Sequence, residues 1–240
     1  MSDPRRPSVK GIVAPRLVVM EDPGSFPAEA YRVLRTNLHY ANPDAPLRRI
    51  LVTSSAPGEG KSTTLANLGV TLAQAERSVL IVDADLRRPV MHHIFKQRMT
   101  PGLTSYLAGD ALLDAIITKT PIPNLSVVTS GPTPPNPAEL LASRRMREFL
   151  DHVTERYDIV LVDSPPVLAV TDAGALASMM DGVLFVVAAG KVPFAAMRRA
   201  KNQIEAAQGR VLGAVVNQFE ARVADGYSKA YYQRYYGKDR

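Results

Sequence analysis

RILVTSSAPGEGKSTTLANL, residues 49–68, decides how the rest of the chain is read. It opens on an apolar run ending at Ser54, passes through small residues and two glycines, and continues into a helical pattern. Gly60-Lys61-Ser62 is the end of a G-x-x-x-x-G-K-[ST] phosphate loop. In such a loop backbone N–H groups close around the β- and γ-phosphates, the lysine reaches their oxygens, and the hydroxyl of Ser62 can ligate Mg²⁺. The usual first glycine falls on Ser55, while Gly58 keeps one flexible point inside the loop. The bland alternative, a glycine-rich strand-to-helix turn, must account for an intact Gly-Lys-Ser-Thr in that context.

Five more short apolar runs resemble the first: VLIVD (79–83), LSVVTS (125–130), DIVLVD (158–163), VLFVVA (183–188) and LGAVVN (212–217). Apolar throughout and rich in β-branched residues, they read as strands buried on both faces of a parallel sheet. Helical patterns near 61–76, 104–117, 137–156, 171–180 and 194–208 supply the crossovers. PAEAYRVLRTNLHYA (27–41) adds a helix with Pro27 near its start. Alternating strands and helices predict a doubly wound, mostly parallel α/β sheet flanked by helices. The expected division is a loosely ordered, Pro-, Arg- and Ser-rich segment 1–25, a domain 26–220, and a flexible tail 221–240.

A chain of 240 residues, 46% of them hydrophobic, has enough apolar surface for one sizeable core. It has no cysteine, so disulfides, thiolate metal sites and cysteine nucleophiles are excluded. No apolar run approaches the roughly 18 residues of a membrane span, and the N-terminus lacks the apolar stretch of a secretion signal. A cytoplasmic location is expected. The net charge of +6 resides in the termini: residues 1–16 and 221–240 carry +3 each, whereas 17–220 balance 20 basic against 20 acidic groups. No basic groove for nucleic acid is expected in the core, although basic tails can touch anionic lipid or nucleic acid.

VLIVDADLRRP ends a strand in Asp83 and Asp85, and YDIVLVDSPPVL ends another in Asp163. In a parallel sheet these strand ends open on the same crevice as the phosphate loop. A lone aspartate there is usually a cap or turn residue. Three beside a phosphate loop suit a Mg²⁺–nucleotide, since buried and unpaired they would be costly.

These residues resemble the bacterial tyrosine kinases of capsule and exopolysaccharide synthesis, P-loop proteins related in fold to the ParA/MinD ATPases. SAPGEGKST is similar to their Walker A motif, LIVDADLRRP to Walker A′ and DIVLVDSPPV to Walker B; GPTPPNPAELLAS (131–143) is similar to a further segment of the family. EAYRVLR matches its E-x-x-R-x-x-R helix, and the chain ends in a tyrosine cluster, Tyr227, Tyr231, Tyr232, Tyr235 and Tyr236. ParA/MinD-type ATPases carry a second lysine five residues before that of the loop, a position that is Ala56 here. They are the alternative: a nucleotide switch without tyrosine chemistry.

The resemblance implies an ATP-dependent protein-tyrosine kinase that phosphorylates its own tail in trans and regulates polysaccharide synthesis and export. ATP would be held by Ser55, Ala56, Pro57, Gly58, Glu59, Gly60, Lys61, Ser62 and Thr63. Mg²⁺ would be held by Ser62, Asp85 and Asp163, partly through water. Lys61, Asp83 and Asp85 would be catalytic, with Asp83 orienting or deprotonating the tyrosine hydroxyl. Asn217 would read the adenine edge or, equally, cap a turn. Glu29, Arg32 and Arg35 line one helix face. By itself that is a solvated charge face; by resemblance it is a subunit contact that builds a ring and delivers one tail to the next subunit. The tail's rival role is a basic–aromatic adhesive for membrane or nucleic acid. The implied partners are a homo-oligomer, tyrosine-bearing protein substrates, a tyrosine phosphatase and a transmembrane chain-length-determinant protein, with no nucleic acid. With no span in this sequence, that membrane partner is a separate chain, or this chain is a cytoplasmic fragment peripheral to the inner face of the membrane.

Overall fold

The computed structural model of the protein describes residues 16–42 and 46–219. The elements follow the chain as α1 (Val18–Glu21), α2 (Phe26–Tyr40), β1 (Arg49–Ser54), α3 (Lys61–Ala73), β2 (Val79–Asp83), α4 (Met91–Ile94), α5 (Leu103–Ala108), α6 (Leu113–Ile116), β3 (Ile117–Lys119), β4 (Leu125–Val128), α7 (Pro137–Ala142), α8 (Arg144–Arg156), β5 (Ile159–Asp163), α9 (Asp172–Ala177), β6 (Gly182–Ala188), α10 (Phe194–Ala206) and β7 (Val211–Asn217). The strands form one sheet in the order β3-β4-β2-β5-β1-β6-β7. Every pairing is parallel except β3 with β4.

Side chains alternate across the central strands, so one sheet feeds two cores. Ile50, Val52, Val79, Ile81, Leu161 and Leu184 pack with Leu65, Leu68 and Leu72 of α3 on one side. Leu51, Leu80, Val82, Val160 and Val162 pack with Phe149, Leu150 and Val153 of α8 and Leu176 of α9 on the other. Both sets are buried, which is why the strands carry no polar alternation. Gly69 lets α3 lie close to the sheet: a Cβ there would meet Ile81 Cδ1 at 2.6 Å.

Two expectations need correction. The helix expected over 104–117 ends at Gly109, which is left-handed at φ 97°, and α6 and the edge strand β3 follow. β3 is three residues long and ends in a lysine, so its sequence carries no strand signal. The helix expected over 137–156 is two, because Ser143 leaves helical geometry and its side chain accepts from Met146 N–H as the N-cap of α8.

Ordered structure also begins before residue 26. Val19 is buried, and Asn67 on α3 clasps the segment around it: Oδ1 accepts from Val19 N–H (3.2 Å) and Nδ2 donates to Arg16 C=O (2.9 Å) and Thr63 C=O (2.9 Å). Proline and arginine composition does not report a docking made by one buried amide. Asn67→Ala should lower stability by about 2 kcal/mol, since it orphans a buried N–H. That corresponds to a fall in Tm of about 4–8 °C in thermal melts.

Candidate active site

Strand register brings the site together. β2 and β5 are neighbours with Asp83 opposite Asp163, and Asp163 is opposite Val52 of β1, just before the phosphate loop. The loop turns through Gly58 at φ 81° and Gly60 at φ 89°. Gly60 precedes α3 and no side chain caps that helix, so its first N–H groups and the positive end of its dipole face the crevice. Any side chain at Gly60 would also meet Asn217 Nδ2, 2.1 Å from an added Cβ.

Glu59 explains the departure from the usual loop. It is buried, at 2% exposure, and its Oε1 accepts from Ser55 Oγ (2.7 Å) and Ala56 N–H (2.6 Å) while Oε2 accepts from Ala188 N–H (3.0 Å). Serine supplies the donor a glycine at position 55 would lack. The Glu59 and Ser55 side chains therefore hold the loop against the end of β6. Asn217 and its neighbour brace the same loop: Asn217 Nδ2 donates to Glu59 C=O (3.0 Å) and Gln218 Nε2 to Gly58 C=O (2.8 Å). Lys191 Nζ in turn donates to Gln218 Oε1 (2.6 Å). Sequence reasoning missed Gln218 and Lys191; the only signal was a polar pair closing an apolar strand.

Four groups meet at the mouth of the loop. Lys61 Nζ is 2.8 Å from Asp85 Oδ2 and 3.3 Å from Asp163 Oδ1, and it donates to Ser62 Oγ at 2.9 Å. Ser62 Oγ donates to Asp163 Oδ2 at 2.6 Å. Asp83 Oδ2 accepts from Val90 and Met91 N–H (3.0 and 2.9 Å), whereas Asp83 Oδ1 is buried with no partner. Burial, then the charge of Asp163, pushes the Asp83 pKa up to about 8 against the pull of the Met91 N–H. Burial raises Asp163 as well, opposed by Lys61 and Ser62. Burial works against the Lys61 charge, but Asp163 and Asp85 outweigh it and hold its pKa above the ordinary value.

This donor set suits Mg²⁺. Among the described residues no three His, Cys, Asp or Glu side chains cage a metal unaided. Mg²⁺ needs no such cage: it takes one or two carboxylates and completes its shell with phosphate oxygens and water. Ser62, Asp163 and Asp85 are hard oxygen donors at the phosphate loop, and the orphaned Asp83 Oδ1 is one more buried polar atom seeking a partner.

A phosphate loop entering a helix N-terminus, with strand-end aspartates across the crevice, defines a P-loop nucleotide-binding domain, and the AAA domain family model matches residues 47–212. The tyrosine-protein kinase YwqD of Bacillus subtilis is 41% identical over 201 residues, 84% of this chain and 85% of that one. The solved kinase domain of the Escherichia coli tyrosine kinase ETK superposes with a TM-score of 0.84 at 32% identity, over 93% of this chain and 88% of that one. MinD of Pyrococcus horikoshii, solved with Mg-ADP, shares the fold at 24% identity and a TM-score of 0.64, over 78% of this chain and 76% of that one. The chain belongs to the bacterial tyrosine-protein kinases.

The remaining expected residues divide. Pro57 and Gly58 are exposed at the loop tip, and Thr63 is half-buried in the first turn of α3. On α2, Arg32 pairs with Glu29 (2.7 Å) and donates to Pro23 C=O (2.6 Å), while Arg35 donates to Thr71 C=O of α3 (3.1 Å). That face is thus already partly engaged within the chain. The five tail tyrosines lie outside the described residues.

Asp83 also sets a pH dependence. Its pKa is about 8 folded against 3.8 as a free side chain, so between those values the folded state holds the extra proton and rising pH erodes stability. Asp83→Asn keeps the shape without the charge. It should flatten the decline in Tm of nucleotide-free protein between pH 5 and 8.5. At pH 8 it should raise Tm by about 2–4 °C, the shift that ~1 kcal/mol produces in a domain of this size. An unchanged slope would mean that Asp83 is ionised throughout.

Proposed function

We propose that this chain transfers the γ-phosphoryl group of ATP to tyrosines of its own C-terminal cluster, between subunits, and thereby regulates exopolysaccharide or capsule synthesis. The observation that supports this most is Ala56, which stands where a ParA/MinD-type switch carries its second lysine. The phosphate loop, the metal ligands and the paired aspartates Asp83 and Asp85 are common to both readings and do not choose between them. Asp83, with a free buried oxygen in the same crevice, suits contact with a tyrosine hydroxyl.

Lys61 and the N–H groups at the start of α3 hold the β- and γ-phosphates. Ser62, Asp85 and Asp163 hold Mg²⁺, which when bound neutralises charge on the transferring group. In the ionised fraction present near its pKa of about 8, Asp83 Oδ1 accepts the proton of the tyrosine hydroxyl as the phenolic oxygen forms its bond to phosphorus and ADP leaves. Asn217 keeps its Oδ1 for the adenine amino group while its Nδ2 holds the loop. The Glu29–Arg32–Arg35 face joins neighbours in a ring. A separate transmembrane chain-length-determinant protein, suggested by the family resemblance, would bring the ring to the inner face of the membrane; among the described residues no helix is long and apolar enough to cross it.

Mixing two proteins that each fail to label themselves, for different reasons, tests transfer in trans. Lys61→Met removes the phosphate contact, and a variant with Tyr227, Tyr231, Tyr232, Tyr235 and Tyr236 all changed to Phe removes the acceptors. With ATP and Mg²⁺ the mixture should label the tail of the Lys61 variant at least ~10-fold above either protein alone, read by mass spectrometry. ATP hydrolysis by the unaltered protein without tyrosine label would favour the nucleotide switch.

Arg32→Ala should reduce the oligomer in light scattering and slow labelling, with ATP affinity at most ~3-fold changed. An unchanged oligomer size would return this face to solvent.

A further inference from the structure

The turn that carries Asp85 stands beyond the sheet. Register sets Asp83 beside Asp163, and Ala84 N–H still reaches Asp163 C=O at 2.9 Å. Asp85 comes next, after the last strand pairing. Its Oδ1 accepts from Arg88 N–H (3.0 Å), closing a turn over residues 85–88, so the direction of its other oxygen depends on how that turn is anchored. Two anchors are present. Leu86 is buried on the α8–α9 side of the sheet. Arg87 reaches Asp172, the first residue of α9, with both prongs of its guanidinium: Nε to Oδ2 at 2.9 Å and Nη2 to Oδ1 at 3.0 Å.

Asp172 is completely buried, and each of its carboxylate oxygens receives one of these bonds. Its position is the significant point. It lies at the end of the loop that leaves β5 after Asp163, whereas Arg87 lies on the loop that leaves β2 through Asp85. The pair is therefore a strut between the loop that bears Asp85 and the loop that follows Asp163. As a source of stability it is poor, because the Arg87 side chain is 41% exposed and burying a carboxylate is costly. As a source of geometry it is good, because a forked Arg–carboxylate contact fixes orientation as well as distance.

We propose that Asp172, acting through Arg87, is a positioning residue that sets Asp85 relative to Asp163 for a divalent cation. The proposal rests on the assignment of Asp85 and Asp163 to Mg²⁺ made above. Mg²⁺ demands near-ideal octahedral geometry, and partners that orient its ligands alter metal affinity by about 10–100-fold.

Calorimetry of ADP binding with and without Mg²⁺ reads this without reference to kinase activity. Asp172→Asn and, independently, Arg87→Lys should each reduce the Mg²⁺-dependent gain in ADP affinity ~10-fold, with metal-free ADP affinity within ~2-fold of the unaltered protein. Arg87→Lys keeps the charge at a partly exposed site and loses only the fork, so it also guards against a failure of Asp172→Asn to fold. In an Asp85→Asn background, Asp172→Asn should have no further effect on the gain, whereas a general packing defect would add to it. Variants with a full Mg²⁺ gain, or with additive losses, overturn the strut. An unaltered protein whose ADP affinity ignores Mg²⁺ overturns the metal assignment itself, and the strut with it.

Discussion

Asp83 and Asp163 sit side by side at the ends of adjacent strands, both fully buried, with Asp85 one turn beyond. A parallel sheet with β5 between β1 and β2 brings these carboxylates to one crevice, and it must then hold their charge away from water. Lys61 offsets two of them directly, and its charge is secured by them in return. Asp83 is left over, and its proton is the compromise. On the proposed assignment the same residues are an ion cluster before nucleotide arrives and a set of ligands afterwards. Exchanging carboxylate for phosphate around Lys61 would then leave the lysine satisfied throughout.

The loop is braced from outside the motif that names it. Glu59 fastens it to β6, and Asn217 and Gln218 fasten it to the end of β7. On the far side Asn67 ties the first turn of α3 to the α1 segment, and Arg35 ties the α3 backbone to α2. Movement of the N-terminal layer therefore bears on α3 directly, with no intervening hinge.

Much of this was legible in sequence because it is carried by local pattern. Six apolar runs marked six of the seven strands, the sheet's parallel sense followed from buried faces, Lys61 and Ser62 stood where the loop after a strand enters a helix, and Asp83, Asp85 and Asp163 stood at or just past strand ends. What escaped depends on contacts between distant residues. Glu59 was read only as part of the phosphate loop, because nothing local says that its carboxylate turns inward to Ser55 and Ala188. Arg87 drew no reading, because its partner is 85 positions away. Ser143 and Gly109 were read through because helix periodicity continues on either side of each break.

Gln218 occupies left-handed backbone at φ 54°, with its side chain gripping the phosphate loop. The described chain thus ends within one residue of a contact to the phosphate loop. Tyr227 lies nine positions beyond Gln218 and Tyr236 eighteen. Fully extended, these stretches span at most about 30 and 65 Å. Tethering a reactant on so short a leash gives it a local concentration near the millimolar range. In the proposed ring, contour length alone would not choose between a subunit's own crevice and its neighbour's. The choice would fall to the geometry that orients one crevice toward the next.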